Sequence, residues 1–340
     1  MKKDLKSMTL AEIEDVVVSG NFEKYRAKQI FEKLKKGAMT LDEINIPNKL
    51  RDYLAQDYFI AELKVERELI SKLDGTRKYL FRLFDDEFIE SVLMEYHHGN
   101  TLCISTQVGC RMGCKFCAST LGGLVRNLYP SEMLSQIQLA EKTSGKKISN
   151  IVMMGIGEPF DNWENVKRFL ELLADPTGLQ IGARHISLST SGNVDGIKTL
   201  AKEKSQVTLS VSLHAPDDET RNKLMPINKK WNVEELIDAI KYYIKETNRR
   251  VSFEYAMIDG VNDTKEHAVK LAKLLKGMLC HVNLIPVNRV KERDFFKSSK
   301  ENLVNFENIL KKSNITVTVR RTLGSDINAS CGQLRNENKE

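Results

Sequence analysis

The chain has 340 residues, 41% hydrophobic and 29% charged, and its 52 basic and 46 acidic side chains leave a formal charge of +6. This is the composition of an ordinary globular protein, long enough for one large domain plus a smaller one, and its charge is compatible with nucleic acid without demanding it. No apolar run reaches the eighteen residues of a membrane span, and the N-terminus Met-Lys-Lys-Asp-Leu-Lys lacks the apolar core of a signal peptide, so a cytoplasmic protein with no membrane partner is expected. In that setting the six cysteines (Cys103, Cys110, Cys114, Cys117, Cys280 and Cys331) point to metal or redox chemistry rather than to a disulfide framework.

Residues 1–62 read as a helical accessory module. Thr9 and Glu12 have the spacing of a capping box, and Tyr25, Ile30, Phe31 and Leu34 form an amphipathic stripe that ends near Gly37. A further helical period begins at Leu50, Tyr53 and Leu54. Lys24, Arg26, Lys28, Lys33, Lys35 and Lys36 crowd this module, which therefore either docks RNA or packs on the rest of the chain. Residues 63–98 change to period two, with turn signals at Asp74-Gly75 and Asp85-Asp86-Glu87, predicting a small antiparallel β-meander. Glu90 falls inside its last strand, on the expected wet face.

From residue 99 to 322, short apolar strands alternate with amphipathic helices. The strands are placed at 102–108, 148–154, 185–189, 207–213, 251–257 and 282–287, with a last one at 315–321. This is an α/β pattern of parallel units, a partial (βα)6 barrel, with a doubly wound open sheet as the alternative. A polar tail, 323–340, carries Cys331.

Function in such folds gathers at the C-terminal ends of the strands. There lie Cys110, Cys114 and Cys117, spaced by four and three residues. Structural zinc needs four ligands, whereas a four-iron cluster held by three thiolates keeps one iron open to bind something else. An amino acid's amine and carboxylate could chelate that iron. Gly157 would let backbone approach such a ligand, and Glu158 could accept from its ammonium group. Ser189, Ser212 and Asn288 suit ribose hydroxyls or an adenine edge. His214 alone is most often structural. Cys331, in a small-residue turn, is a reactive thiol or an inert one; Cys103 shares a strand face with Ser105; Cys280 is assigned to packing. The pairs Lys229-Lys230, Arg249-Arg250 and Arg320-Arg321 are expected to be solvated.

Together these residues resemble a known family. Cys110-x3-Cys114-x2-Cys117 is the cluster signature of radical S-adenosylmethionine (radical SAM) enzymes, and the wider set is similar to the RlmN/Cfr group of RNA adenine methyltransferases. The likeness includes Cys103-Ile-Ser-Thr-Gln-Val-Gly-Cys110, Met153-Met-Gly-Ile-Gly-Glu-Pro159, Leu188-Ser-Thr-Ser-Gly192, Ser212-Leu-His-Ala-Pro216, Leu224-Met-Pro-Ile-Asn228, Asn283-Leu-Ile-Pro-Val-Asn288 and Cys331-Gly-Gln-Leu334. Glu158-Pro159 and Ser189-Thr-Ser191-Gly look like the RlmN branch, which methylates carbon 2 of adenine, rather than the Cfr branch, which methylates carbon 8.

The resemblance implies a radical SAM barrel in which Cys110, Cys114 and Cys117 hold a 4Fe–4S cluster. Gly157, Glu158, Ser189, Ser212, Leu213, His214 and Asn288 would line S-adenosylmethionine, used twice per turnover. One molecule would methylate Cys331, and reductive cleavage of the other would generate the radical that activates that methyl group. Cys103 would then release the crosslinked RNA by forming a disulfide with Cys331, with Glu90 as proton acceptor. The implied partners are 23S rRNA at the peptidyl-transferase centre, tRNA next to the anticodon, and a flavodoxin- or ferredoxin-type electron donor. One position departs from the family pattern: Asn328 stands where an Asp is usual, which puts a tail-positioning carboxylate in question. The alternatives are a Cfr-like carbon-8 enzyme, a zinc-stabilised RNA-binding protein without catalysis, and a radical SAM enzyme acting on a small molecule or protein.

Overall fold

The computed structural model describes residues 2–176 and 178–334. Its N-terminal helices are α1 (Leu10–Ser19), α2 (Tyr25–Lys35) and α3 (Asn48–Asp57). The capping box forms as expected: Glu12 N–H donates to Thr9 Oγ1, and Thr9 N–H donates to Glu12 Oε2 at 2.7 Å. Ile13, Val17, Ile30, Phe31, Leu34, Leu50 and Leu54 give these helices a core of their own. Part of the basic cluster serves packing. Lys35 is buried and donates to the Leu172 carbonyl at 3.0 Å, while Lys24 and Lys28 pair with Glu14 and Glu32.

Ten strands make the main sheet in chain order: β1 (Leu63–Ile70), β2 (Arg77–Leu83), β3 (Phe88–Tyr96), β4 (Gly99–Cys103), β5 (Ile148–Met153), β6 (Ile186–Thr190), β7 (Thr208–Ser212), β8 (Val251–Met257), β9 (Cys280–Pro286) and β10 (Thr316–Val319). Pairing is antiparallel from β1 to β4 and parallel from β4 to β10. The order never reverses, as a doubly wound sheet requires, and β1 and β10 do not pair with each other. The result is a partial barrel extended by the meander. The helices α4 (Pro130–Ser144), α5 (Trp163–Ala174), α6 (Val194–Lys202), α7 (Asp218–Leu224), α8 (Val233–Thr247), α9 (Lys265–Leu274) and α10 (Lys300–Lys312) fill the crossovers.

Strand alternation divides the sheet into two chemically different faces. Leu102, Ile151, Leu188, Leu209, Val211, Phe253, Val282 and Leu284 join the helices in the main core. In-register partners on the opposite face are polar: Ser189 with Ser210, Ser212 with Glu254, Glu254 with Asn283, and Asn283 with Thr318. The barrel lumen is therefore hydrophilic rather than a stack of branched aliphatics.

Two expectations change. The strand placed at 102–108 breaks after Cys103, because Ser105 leaves the ladder: its N–H donates to Gln136 Oε1 at 2.9 Å and its Oγ to the Glu90 carbonyl at 2.7 Å. Gln107–Gly109 then pairs with Leu124–Asn127 in a separate hairpin. Glu90 is not on a wet face. The tail residues Leu323, Ile327, Ala329 and Leu334 cover that side of the meander, and Glu90 is fully buried against Lys78 Nζ at 2.6 Å.

Candidate active site

The hairpin presents the three-cysteine loop. Gly109, at φ +71°, has Gly123 O where a Cβ would stand, only 1.9 Å away, so no larger residue fits that closure. Cys110 N–H donates to the same Gly123 carbonyl at 2.8 Å, and Lys115 N–H to the Leu224 carbonyl at 2.9 Å, fastening the loop to the end of α7. Thr120 Oγ1 donates to the carbonyls of Cys114 and Cys117. Cys110, Cys114 and Cys117 all line one cavity at the C-terminal ends of the parallel strands. Burial pushes Cys110 up to about 12 and raises Cys114 and Cys117 as well, so the thiols ionise only when a bound cation stabilises the thiolates.

Among the described residues, no three His, Cys, Asp or Glu side chains gather around one ion position, as mononuclear zinc with its bonds of about 2.3 Å to sulfur would require. The donor set fits a multi-iron cluster better: three thiols share a wall with polar groups for a further ligand. One of these groups is Glu254, whose Oε2 is buried without a hydrogen-bond partner.

The strand after the loop supplies Gly155, Gly157 and Glu158. A Cβ on Gly155 would lie 2.5 Å from Ile104 O. Gly157 (φ +111°) would put one 2.7 Å from Gln107 Cβ, so Gln107 already occupies much of the space the missing side chain frees. Gln107 Oε1 in turn accepts from Glu158 N–H at 2.8 Å. The Glu158 carboxylate is buried. It accepts from Ser191 N–H and Oγ at 2.7 and 2.8 Å and from Phe160 N–H at 3.3 Å, and burial raises its pKa against these bonds. Glu158 thus clamps the end of β6 to the end of β5.

Ser189, Ser212 and His214 line the same cavity. Burial and then the Arg221 charge lower His214 to about 3, so the ring is neutral. Its Nδ1 accepts from Ala256 N–H at 2.8 Å, which assigns the proton to Nε2. Leu213 departs from expectation: strand parity turns its fully buried side chain into the helix-facing core, and it does not line the cavity. Its carbonyl instead accepts from Arg221 Nε at 3.0 Å. Arg221 is fully buried and also donates to the Ser191 and Ser212 carbonyls and to Asn228 Oδ1, tying the ends of β6 and β7 to the segment after α7.

Cys331 closes the cavity from the other end of the chain. Asn288 Nδ2 donates to its carbonyl at 3.1 Å, Arg320 Nη1 lies 3.4 Å from its sulfur, and Ala118 N–H donates to the Gly332 carbonyl at 2.8 Å. Asp326 accepts from Ser71 Oγ and Lys72 N–H, so the carboxylate tether of the tail sits there; Asn328, at φ +49°, occupies a left-handed position that Asn tolerates. Cys331 lines both the three-thiol cavity and a small adjoining one that it shares with Cys103. Burial pushes Cys103 up to about 12. Glu90 lies outside both cavity walls, although it shares the face of Cys103, because Val92 pairs with Cys103.

Arg320 was expected to be solvated. It lies instead among Cys331, Glu254, Tyr96 and Cys103, and the field of Cys331 holds its pKa above the ordinary arginine range. Arg221, Ser191, Glu254 and Arg320 were not singled out as site residues. Local signals were carried by Glu254, a charge in an otherwise apolar strand, and by Ser191, inside the polar motif Ser189-Thr-Ser191-Gly.

The Radical SAM superfamily model matches residues 104–274, the segment from the cluster loop through α9. A probable dual-specificity RNA methyltransferase RlmN of Alkaliphilus oremlandii is 56% identical over 98% of both chains. One of Caldanaerobacter subterraneus subsp. tengcongensis is 53% identical over 98% of this chain and 97% of its own. The crystal structure of a radical SAM methyltransferase from Sphaerobacter thermophilus superposes with a TM-score of 0.92 at 45% identity, covering 98% of this chain and 99% of that one. The likeness to these relatives spans nearly the whole length, and the chain belongs to the RlmN family of RNA methyltransferases within the radical SAM superfamily.

Proposed function

We propose that this protein methylates carbon 2 of an adenosine in 23S rRNA at the peptidyl-transferase centre, and of the adenosine 3′ of the anticodon in tRNA, with Cys331 as methyl carrier and Cys103 as resolving thiol. The observation that carries this reading is the position of Cys331 on two cavities at once, one walled by Cys110, Cys114 and Cys117 and the other by Cys103. A single sulfur there can meet a methyl donor on one side and its disulfide partner on the other.

Superfamily membership implies a 4Fe–4S cluster and S-adenosylmethionine. Cys110, Cys114 and Cys117 would hold the cluster, which supplies the electron that cleaves S-adenosylmethionine reductively. Two molecules would be used per turnover, with Cys331 accepting the methyl group of one. Gly157, Glu158, Ser189, Ser212, His214 and Asn288 shape the donor's cavity. His214 offers it an Nε2 proton donor, and Glu254 Oε2 a free acceptor. The Arg320 guanidinium, 3.4 Å from the Cys331 sulfur, holds that sulfur in position between the two cavities. Cys103, buried and protonated, attacks only after losing its proton. Glu90 lies on the same sheet face, but Lys78 holds its carboxylate and also donates to the Asn328 carbonyl. Proton acceptance by Glu90 therefore requires Lys78 to shift toward the tail. A flavodoxin- or ferredoxin-type protein supplies the electrons.

Anaerobic turnover of separate rRNA and tRNA fragments, followed by nucleoside mass spectrometry, tests the reading. We expect 2-methyladenosine from both and accumulation of an RNA–protein adduct with Cys103→Ala. Only 8-methyladenosine, or a colourless zinc-loaded protein without iron and sulfide, overturns it.

A further inference from the structure

The hydrophilic lumen opens at the N-terminal ends of the parallel strands, opposite the three-cysteine loop. It forms a cavity of about 630 Å3, lined there by Arg184, His185, Thr208 and Arg250 and on its flank by Tyr96, His97, His98 and Arg321. Its inner end is lined by Met154, Glu254 and Arg320, the same three residues that line the three-thiol cavity. Met94, Tyr96, Met154, Arg320 and Arg321 are likewise shared with the small cavity of Cys103 and Cys331. The small cavity of Cys103 and Cys331 thus adjoins the wider chamber across these shared residues, and Cys331 faces the three-thiol cavity on its other side.

The mouth of the wider chamber has the chemistry of a nucleic-acid funnel. Arg184, Arg250 and Arg321 are exposed, and none of them makes an ion pair among the described residues. The chamber's one acidic wall residue, Glu254, is buried at its inner end. At the rim, the Tyr96 and His98 rings stack at 5.1 Å with 14° between their planes, and His97 abuts His98 edge-on at 5.0 Å. Unpaired arginines follow a phosphate backbone, and stacked rings receive an unstacked base. Deeper in, the walls carry Ser187, Ser210, Ser252 and Asn283, donors and acceptors suited to a base edge rather than to an apolar ligand.

We propose that the acceptor RNA docks as an unpaired strand on this rim and passes its target base through the lumen to Cys331, entering from the end of the barrel opposite the cluster loop. The proposal rests on the RNA methyltransferase reading and deepens it. It also moves the main docking surface away from the N-terminal basic cluster, where Lys24 and Lys28 are ion-paired and Lys35 is buried.

The test is fluorescence anisotropy with a labelled RNA hairpin whose loop contains adenosine, titrated at several KCl concentrations. The proteins compared are the wild type, an Arg184→Ala/Arg250→Ala/Arg321→Ala variant, a His98→Ala variant and a Lys24→Ala/Lys28→Ala variant. Loss of about three phosphate contacts should flatten the salt slope by roughly 2 and weaken binding by roughly tenfold or more in the triple variant. Loss of one stacking ring should cost roughly fivefold to a hundredfold in the His98 variant. The lysine variant should bind as the wild type does. All substituted side chains are exposed, so unchanged thermal unfolding midpoints verify the fold. A triple variant with wild-type affinity and slope overturns the proposal while the RNA reading stands. A wild type that binds no RNA overturns both. Photocrosslinking of 4-thiouridine RNA to the wild type decides independently: adducts on residues 96–98 or 184–185 support the rim, and adducts confined to residues 1–62 refute it.

Discussion

Arg320 shows how one side chain can link otherwise separate parts of the site. Its guanidinium sits 3.4 Å from the Cys331 sulfur and close to Glu254 and Cys103. This contact from a charged donor holds the sulfur in place, and hydrogen bonds involving a charged group contribute roughly 1.5–3 kcal/mol. Arg320→Gln should therefore slow S-methylation of Cys331 by roughly tenfold to a hundredfold. Arg320→Lys should recover part of the rate, and mass spectrometry of the Cys331 peptide measures both effects. An Arg320→Gln variant that retains the wild-type rate would restrict Arg320 to packing. The neighbouring pairs Lys229-Lys230 and Arg249-Arg250 have the same local appearance in sequence as Arg320-Arg321. The difference arises where β10 delivers Arg320 into the lumen and leaves Arg321 exposed on its rim.

Among the elements, the β4–β5 pair and its loops decide whether the site is assembled. Cys103 ends β4, Gly155 follows β5, and Gly155 N–H donates to the Ile104 carbonyl at 3.1 Å. A Cβ at residue 155 would stand 2.5 Å from Ile104 O and 2.7 Å from Ile104 C, both backbone atoms that cannot rotate away. Gly155→Ala should thus destabilise the fold by about 1–3 kcal/mol through overpacking and lower the yield of cluster-bearing protein. Gly122→Ala, with nothing within 4 Å of its Cβ, should be near neutral. Urea denaturation compares the two; equal midpoints would contradict the close approach. These elements were only partly legible in sequence. The Thr9 cap forms where the sequence predicts it, since it depends on local hydrogen bonding. The break after Cys103 is not so predicted, because it depends on Gln136 of α4 and on the Glu90 carbonyl, distant in sequence from Ser105.

At the scale of the molecule, buried neutral histidines connect stability to pH. His214 is lowered to about 3 by burial and the Arg221 charge, and burial lowers His267 and His281 as well. Between these depressed values and the ordinary value near 6.5, the unfolded chain binds protons that the folded one does not, so stability is full above that value and falls as the pH drops. We expect urea midpoints to decline from pH 7 to 5, with His214 contributing at most about 1.4 kcal/mol per pH unit below 6.5. His214→Asn, which suits the backbone at φ +57°, should flatten the decline. A pH-independent midpoint in the wild type would refute the buried neutral ring.

By itself, the sequence determined the order of strands and helices, the three-thiol loop and the resemblance that singles out Cys103 and Cys331. These are written in short motifs and in periodicities of 2 and 3.6 residues. Only the tertiary structure decided that Cys331 lies between two cavities, that Glu90 is buried against Lys78 and that Arg221 binds two strand ends together. It alone turned the alternating serines of β6–β8 into a polar lumen. Each of these depends on which distant segments share an inner face, and that is set by closing the sheet into a partial barrel and folding the tail across it.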